Sequence, residues 1–298
     1  MKNLLGVWMF IDTNIVHKAK TVSNRIQHYN FSGKKLPLPT EIEISESGTC
    51  NRTCSFCPRS DPEYEDKKIF ISDFLFEKLI NELKVLNYKG TIRFSGFVEP
   101  MLDKNIYNLI KKAKTLLPNC NIEMVTNGDP LNYDRLKKLF ERGLSKILIS
   151  VYDGKEDADK FEKMCFEAKL NGSQFIIRHR YLPKKDDFGI SLSNRAGAMK
   201  NAEFKIEALA EPLKKNCYIP SYTFFLDYQG DVLICPHDWN KEIILGDFNN
   251  QNLLDIWFSK RAIKIRKMLN SANRKFLPCS LCDVSGTFMG EKNASYFV

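Results

Sequence analysis

The sequence predicts an α/β fold with a parallel sheet in residues 41–205, followed by a small α+β domain in residues 206–298. Two patterns support this prediction. Strand-like and helix-like segments alternate strictly from residue 41 to about residue 180, whereas short strands and turns follow residue 213. Strict alternation indicates parallel strands joined by crossover helices, in an open sheet or a barrel. Residues 1–40 fit neither pattern and form a predicted N-terminal extension.

Each element of the alternating region has its own signal. Ile42 and Ile44 alternate with polar residues, which predicts a first strand with one apolar and one polar face. Ser72 predicts a helix start, and Pro118 and Gly143 predict the ends of two later helices. Four more strands are predicted at residues 91–95, 122–126, 147–151 and 175–179. In either arrangement of the sheet, ligands bind at the carboxyl ends of the strands.

The two ends of the chain carry further signals. The apolar run at residues 4–11 ends at Asp12 without a signal-peptide cleavage site, so it is interpreted as a packing strand or helix. This interpretation predicts a cytoplasmic protein. Near the other end, short strands are predicted at residues 224–226 and 232–234, and one helix is predicted over residues 253–268.

The composition is that of an ordinary globular protein. Of the 298 residues, 43% are hydrophobic and 27% are charged. The net charge of +9 favours anionic partners, although basic and acidic residues mix along most predicted helices, as on a solvated surface. Nine cysteines are many for a reducing compartment, where clustered cysteines indicate metal binding or catalysis rather than disulfides.

Cys50, Cys54 and Cys57 follow the first predicted strand on one short loop. Three thiolates can bind three irons of a cubane cluster and leave the fourth iron open for chemistry. A structural zinc site needs a fourth ligand, and no histidine lies close to this loop in the sequence. The loop therefore predicts an iron–sulfur centre, and the alternatives are a zinc knuckle or a simple core loop.

The C-x3-C-x2-C spacing of these cysteines resembles the signature of the radical S-adenosylmethionine (SAM) family. The resemblance implies a partial (β/α)6 TIM-like barrel and a 4Fe–4S cluster whose open iron chelates SAM. One-electron cleavage of SAM in that family gives methionine and a 5′-deoxyadenosyl radical, which abstracts hydrogen from a substrate. Phe56 matches the aromatic residue that packs near the adenine in the family.

Later segments resemble other SAM-binding elements of the family. Gly96, Glu99 and Pro100 match a Gly-Gly-Glu-Pro element that contacts the SAM amino group, although Val98 replaces one glycine. The resemblance implies three more SAM-contacting residues, Asn127, Ser150 and Arg178. For the last two, an ordinary hydrogen bond to solvent or backbone is the alternative.

A second cysteine group, Cys217, Cys235, Cys279 and Cys282, lies in the C-terminal domain. Its spacing resembles the SPASM branch of the radical SAM family, without the later cysteines of full SPASM domains. The resemblance therefore implies the shortened twitch form, which holds one auxiliary 4Fe–4S cluster. Because four cysteines with a C-x2-C pair also suit zinc, a structural zinc site stays open as the alternative.

The radical SAM resemblance implies a way of starting a reaction and leaves the substrate open. An auxiliary cluster can accept the electron that a substrate radical loses. The leading hypothesis is therefore a radical SAM oxidoreductase that oxidises an alcohol of a small, anionic or hydroxyl-rich substrate, such as a sugar, cyclitol or nucleotide-sugar, to a ketone. The expected electron donor is a flavodoxin- or ferredoxin-type protein, and neither a membrane nor a nucleic acid is expected as partner.

Two alternative functions remain open at this point. One is maturation of a ribosomally made peptide, although forty residues before the first strand are few for a typical peptide-binding domain. The other is a zinc-containing nucleic-acid binding module. The sequence argues against it, because the basic residues form no run with interleaved aromatics.

Two residues are predicted to act on the substrate. Arg195 lies in a segment that resembles one before the C-terminal domain of SPASM proteins, and its guanidinium suits a carboxylate, phosphate or hydroxyl group. His237, two residues after Cys235, is a candidate for proton removal or for support of a cluster ligand. Further candidates for substrate contact are Tyr152, Arg180 and Asp238.

Overall fold

The computed structural model describes residues 13–181, 193–199 and 206–297. Its helices are α1 (Thr13–Asn24), α2 (Asp73–Val85), α3 (Ile106–Leu116), α4 (Tyr133–Glu141), α5 (Lys155–Glu167), α6 (Leu253–Trp257), α7 (Lys260–Asn270) and α8 (Glu291–Ala294). Its strands are β1 (His28–Phe31), β2 (Lys34–Pro37), β3 (Glu41–Ser45), β4 (Ser47–Gly48), β5 (Lys67–Phe70), β6 (Thr91–Phe94), β7 (Asn121–Thr126), β8 (Lys146–Val151), β9 (Phe175–His179), β10 (Thr223–Asp227), β11 (Asp231–Leu233) and β12 (Ile244–Asp247). The packing element predicted at residues 4–11 lies outside the described residues.

Eight strands form one sheet in the order β12-β11-β10-β3-β6-β7-β8-β9. The six strands from β10 to β9 run parallel, and β11 and β12 extend the sheet with antiparallel pairs. Five of the parallel strands are those predicted from the alternating pattern. The sequence predicts β10 only as a short strand of the C-terminal domain, whereas the structure pairs it with β3. The two regions therefore share one sheet.

The two faces of the sheet differ in polarity, as the alternation in β3 predicts. Ile42 and Ile44 lie in the main hydrophobic core, to which α2, α3, α4 and α5 contribute their apolar sides. Glu41 and Glu43 point to the opposite face and are also buried. This opposite face holds buried polar side chains, and it forms part of the site described below.

The predicted helix boundaries at Ser72 and Gly143 are confirmed. The Ser72 hydroxyl accepts a hydrogen bond of 3.1 Å from the Leu75 amide at the start of α2. Gly143 follows α4 with φ +104°, a conformation that strains other residues. The single helix predicted over residues 253–268 is wrong, because the Ser259 hydroxyl caps a new helix, α7, after α6 has ended.

The N-terminal extension contributes α1 and the β1–β2 hairpin, and both pack on the rest of the fold. Arg25 donates hydrogen bonds to the Lys89 carbonyl (2.7 Å), in the loop that precedes β6, and to Asn121 (3.0 Å), the first residue of β7. The Trp257 indole donates to the Pro37 carbonyl at 2.9 Å. Among the helices described here, none has the length and apolar character needed to cross a membrane.

Candidate active site

A cavity of about 330 Å³ lies at the carboxyl ends of the parallel strands and extends along the polar face of the sheet. Most of the predicted site residues line it, namely Cys50, Cys54, Phe56, Cys57, Gly96, Glu99, Asn127, Ser150, Arg178, Arg195 and His237. Pro100 is buried at the start of a short 3-10 turn behind Glu99. The alternating region and the C-terminal domain therefore contribute to one cavity.

The loop after β4 carries the first cysteine group. Cys50, Cys54 and Cys57 are partly buried, and the Cys57 amide donates to the Cys54 carbonyl at 2.9 Å, which closes a tight turn. Burial raises the pKa of all three thiols, that of Cys54 to about 11. Three partly buried thiols at one end of an open cavity suit a three-cysteine iron–sulfur cluster that keeps one iron accessible.

Arg52 ties the cysteine loop to two neighbouring strand ends. Its Nε donates to Asp129 at 2.6 Å, and its Nη1 donates to Asp153 at 3.0 Å. Asp129 follows β7 and Asp153 follows β8. The loop is therefore held against both strands, which fixes the position of its cysteines relative to the cavity.

Glu99 follows β6 and is almost fully buried. Its carboxylate accepts hydrogen bonds from the Thr126 hydroxyl (2.6 Å) and from the Asn127 and Met101 amides (2.7 and 3.0 Å). Burial raises the pKa of Glu99 to about 6, although these hydrogen bonds oppose the shift. Glu99 is thus a fixed carboxylate at the wall of the cavity.

The turn after β6 needs the glycine at position 96. Gly96 has φ +103°, and a Cβ there would lie 3.0 Å from the Phe225 ring. The Phe97 amide next to it donates to the Ser45 hydroxyl at 3.1 Å. Val98, which departs from the family pattern, itself lines the cavity.

The ends of β8 and β9 complete one wall. The Arg178 guanidinium donates to the Ser150 hydroxyl at 3.0 Å. The Phe56 and Tyr152 rings lie 5.3 Å apart between centroids, so that the cysteine loop and the β8 end form an aromatic surface. Of the further candidates, Tyr152 lines the cavity, and Arg180 is a buried residue just after β9.

Arg195 and His237 approach the cavity from the C-terminal side. Arg195 has φ +47°, which is a strained backbone conformation. Asp283 helps to hold this segment, because its carboxylate accepts hydrogen bonds from the Ser193 hydroxyl and the Asn194 amide. Arg195 Nε and His237 Nδ1 are buried and have no hydrogen-bond partner among the residues that the structure describes. Burial, with the nearby charge of Arg195, lowers the pKa of His237 to about 3 and keeps its imidazole neutral. Buried, unpaired polar atoms at a cavity wall are suited to bind a polar ligand.

The candidate Asp238 has a structural role in its loop. Its carboxylate accepts hydrogen bonds of 2.9 Å from the amides of Glu242 and Ile243. These bonds close the turn between β11 and β12. Cys235 and His237 lie in the same turn, so these hydrogen bonds help to fix their positions.

The second cysteine group converges beside a small hydrophobic cluster of Ile234, Ile243, Ile265 and Leu269. Burial raises the pKa of Cys279 and Cys282, and the neighbouring thiol of Cys217 adds to the effect. Burial also raises the pKa of Cys235, and the neighbouring thiols of Cys279, Cys282 and Cys217 raise it further. The four thiols are thus close enough to influence one another, as the ligands of one cluster are.

Arg274 connects the segments that carry these cysteines. Its guanidinium donates to the carbonyls of Asn216 (2.7 Å), which precedes Cys217, and Val284 (2.7 Å), two residues after Cys282. Over the described ranges, no group of three or more His, Cys, Asp and Glu side chains was found that could hold a single metal ion. The cluster assignment therefore rests on the cysteine spacing and on the family models reported below.

Sequence reasoning missed several residues of the cavity, among them Lys18, Glu43, Arg59, Arg93, Phe97 and Trp239. Arg59 donates to the carbonyls of Gly48 (3.0 Å) and Phe97 (2.5 Å) and thereby supports the cysteine loop. The polar face of β3 was a usable signal, because a buried strand with one charged face indicates a polar interior. Lys18 lies on a helix that no motif marks.

Two family models match the chain in separate segments. The Radical SAM superfamily model matches residues 44–174, and the SPASM model, an iron–sulfur cluster-binding domain, matches residues 217–283. The first segment contains Cys50, Cys54 and Cys57, and the second contains the four later cysteines. The SPASM match favours iron–sulfur over zinc at the C-terminal site.

Two known proteins and one crystal structure are similar to this chain. The chain is 28% identical over 233 residues to the S-adenosyl-L-methionine-dependent 2-deoxy-scyllo-inosamine dehydrogenase of Niallia circulans, covering 78% of this chain and 88% of that protein. It is 30% identical over 122 residues to the GTP 3′,8-cyclase of Clostridium perfringens (strain SM101 / Type A), covering 40% and 36%. A crystal structure of BtrN in complex with AdoMet and 2-DOIA superposes with a TM-score of 0.70 at 28% identity, covering 85% and 97% of the two chains.

These matches agree with the fold and with both cysteine groups. The predicted cofactors are accordingly those of the family: SAM, a SAM-binding 4Fe–4S cluster and an auxiliary iron–sulfur cluster. The parallel sheet with its crossover helices is the TIM-like fold of the family, followed by the smaller iron–sulfur domain. The chain belongs to the radical SAM family and carries a C-terminal SPASM domain.

Proposed function

We propose that the chain is a SAM-dependent dehydrogenase that oxidises a secondary alcohol of a small, hydroxyl-rich substrate to a ketone. The likeness to a dehydrogenase over 233 residues, which covers 88% of that protein, carries this proposal. The joint cavity of the two regions agrees with it, because a substrate there lies between the two cysteine groups.

The cysteines divide between two clusters in this proposal. Cys50, Cys54 and Cys57 hold the SAM-binding cluster, and the C-terminal set of Cys217, Cys235, Cys279 and Cys282 holds the auxiliary cluster. When bound, these groups supply the one-electron cleavage of SAM that removes a hydrogen atom from the substrate, and an acceptor for the electron that the substrate then loses. Overall, SAM and the alcohol give methionine, 5′-deoxyadenosine, the ketone and one proton.

The residues along the strand ends are proposed to bind SAM. Glu99 provides the carboxylate for the amino group, and Phe56 the aromatic surface for the adenine. The remaining members of this set are Gly96, Pro100, Asn127, Ser150 and Arg178. The hydrogen bonds around Glu99 and Arg178 hold these groups in place before SAM arrives, which reduces the ordering needed for binding.

Arg195 and His237 are proposed to act on the substrate. The Arg195 guanidinium can bind the hydroxyl oxygen and stabilise negative charge on it as the proton leaves. His237 offers a neutral imidazole beside it. Both have a buried nitrogen without a partner over the described ranges, so a substrate hydroxyl would satisfy them.

The domain limits predicted from the sequence are kept in this proposal, with a barrel over residues 41–205 and an auxiliary-cluster domain over residues 206–298. Both family models lie within these limits. A flavodoxin- or ferredoxin-type protein is the proposed electron donor, and the cytoplasm the proposed location.

The dehydrogenase proposal is tested with a substrate that carries deuterium on the carbinol carbon. The reconstituted enzyme is incubated with SAM, dithionite and labelled cyclitols or sugars. We expect deuterium in 5′-deoxyadenosine and one ketone for each 5′-deoxyadenosine, as mass spectrometry can measure. A redox-neutral product that carries the label would disprove dehydrogenation.

The affinity for SAM is expected to depend on pH through Glu99. Because burial raises the pKa of Glu99 to about 6, its carboxylate gains a proton as the pH falls through 6 and no longer attracts the SAM ammonium group. A single site of this pKa predicts a Kd about fourfold higher at pH 5.5 than at pH 7.5. Calorimetry of the reconstituted enzyme measures this change, and the Glu99→Gln variant should bind weakly with a flat profile. A wild-type profile as flat as that of the variant would refute the assignment.

A further inference from the structure

Buried charges line the inner end of the cavity, deeper in the sheet than the cysteine loop. Glu43 of β3 lies opposite Arg93 of β6 in the strand register, and both line the cavity. The Ser95 hydroxyl donates to Glu43 Oε1 at 2.6 Å. Glu43 Oε2 is buried and accepts no hydrogen bond from the described part of the chain. One carboxylate oxygen at this inner end is therefore available to a ligand.

Helix α1 brings a cation to this carboxylate. Lys18 Nζ lies 2.5 Å from Glu41 Oε1 and 3.8 Å from Glu43 Oε2, and it lines the cavity. On the same helix, His17 Nε2 lies 2.8 Å from Glu123 of β7. The helix is thus anchored by the buried carboxylates of the sheet.

The structure thereby connects a helix outside both family models with the cavity. The Radical SAM match begins at residue 44, after α1 has ended. Lys18 and His237, one of the proposed substrate-binding residues, line the same cavity, and the charge of Lys18 is close enough to act on His237. Lys18 therefore lies on the side of the cavity that is proposed to hold the substrate.

We propose that Lys18 is a specificity-determining residue, which makes the inner end of the cavity select a hydroxyl group and reject an ammonium group. A hydroxyl between the two side chains can donate to Glu43 Oε2 and accept from the Lys18 ammonium. An ammonium group in the same place would face Lys18 at close range in a poorly solvated site, where like charges repel strongly. This inference rests on the proposed function only in taking the substrate to be hydroxyl-rich.

The inference is tested by binding of two matched ligands, scyllo-inositol and scyllo-inosamine. They differ by the exchange of one hydroxyl for an ammonium group. Calorimetry uses the reconstituted, SAM-bound enzyme without reductant, so binding is measured whether or not the ligand is oxidised. The variant is Lys18→Met, which keeps an unbranched side chain of similar length and removes its charge. The matched control is Lys20→Met, because Lys20 is exposed on the same helix.

Wild type and the Lys20→Met control are expected to prefer scyllo-inositol by about tenfold or more, as expected for one close charge repulsion. In the Lys18→Met variant the preference should disappear or reverse, because the ammonium group 3.8 Å from Glu43 Oε2 is then gone while the Glu43 carboxylate remains. An unchanged ratio in this variant, or no binding of either ligand to wild type, would overturn the inference.

A Lys18→Arg variant guards against loss of folding. It keeps the positive charge, so it should retain the preference of wild type for scyllo-inositol, while circular dichroism reports the fold of each variant. Should Lys18→Met fail to fold, the Lys18→Met/Glu41→Gln double variant removes the cation together with one carboxylate. It is expected to lose the preference, and retention of the preference would contradict the role of Lys18.

Discussion

Replacing Cys50, Cys54 and Cys57 together by alanine is expected to abolish formation of 5′-deoxyadenosine. The three thiols are the proposed ligands of the cluster at which SAM is cleaved, and the other described residues that line the cavity include no comparable set. Because the cluster carries the chemistry, we expect a loss of more than about 10³-fold. Chromatography of reactions with SAM and dithionite measures it.

Iron analysis of the same triple variant distinguishes loss of one cluster from general unfolding. Wild type should hold about eight irons per chain and the variant about four, since each cubane contains four. Cys165→Ala is the matched control, because Cys165 is a buried cysteine of the α5 core and should leave both values unchanged. Equal iron contents in wild type and the triple variant would contradict the assignment of this loop.

Replacing Cys279 and Cys282 by alanine is expected to stop ketone formation while cleavage of SAM continues. These cysteines lie in the SPASM segment, which is separate in the sequence from the loop proposed to bind the first cluster. Without an electron acceptor the substrate radical cannot complete its oxidation, so 5′-deoxyadenosine should exceed ketone by more than about tenfold. The ratio of the two products measures the effect directly.

Metal analysis of wild type and this double variant tests the auxiliary cluster independently of activity. The expected result is about eight irons in wild type, about four in the variant and no zinc in either protein. About four irons with one zinc in wild type would make the C-terminal site structural. That outcome would remove the electron acceptor from the proposed mechanism.

The local signals of the sequence account for most of the alternating region. The period of two in β3 and the cap at Ser72 depend on neighbouring residues only, and both appear in the structure as predicted. The loop of Cys50, Cys54 and Cys57 is local in the same sense, because its three thiols lie within eight residues of one another in the sequence. Such features can be predicted from one sequence.

Long-range contacts could not be predicted in this way. The pairing of β10 with β3 joins residues almost two hundred positions apart, and no pattern in either strand specifies its neighbour. Lys18 reaches Glu43 from a helix whose own sequence resembles an ordinary surface helix. Arg52 and Arg59 support the cysteine loop through partners that come close only in the folded chain.

The position of β3 has a consequence for how the molecule unfolds. This strand exchanges backbone hydrogen bonds with β6 on one side and β10 on the other, and all five of its residues are buried. Loss of the C-terminal region would leave β3 as an unprotected edge strand, which favours intermolecular pairing and aggregation. We therefore expect the two regions to unfold as one cooperative unit, because opening of either region exposes an edge of the strand that they share.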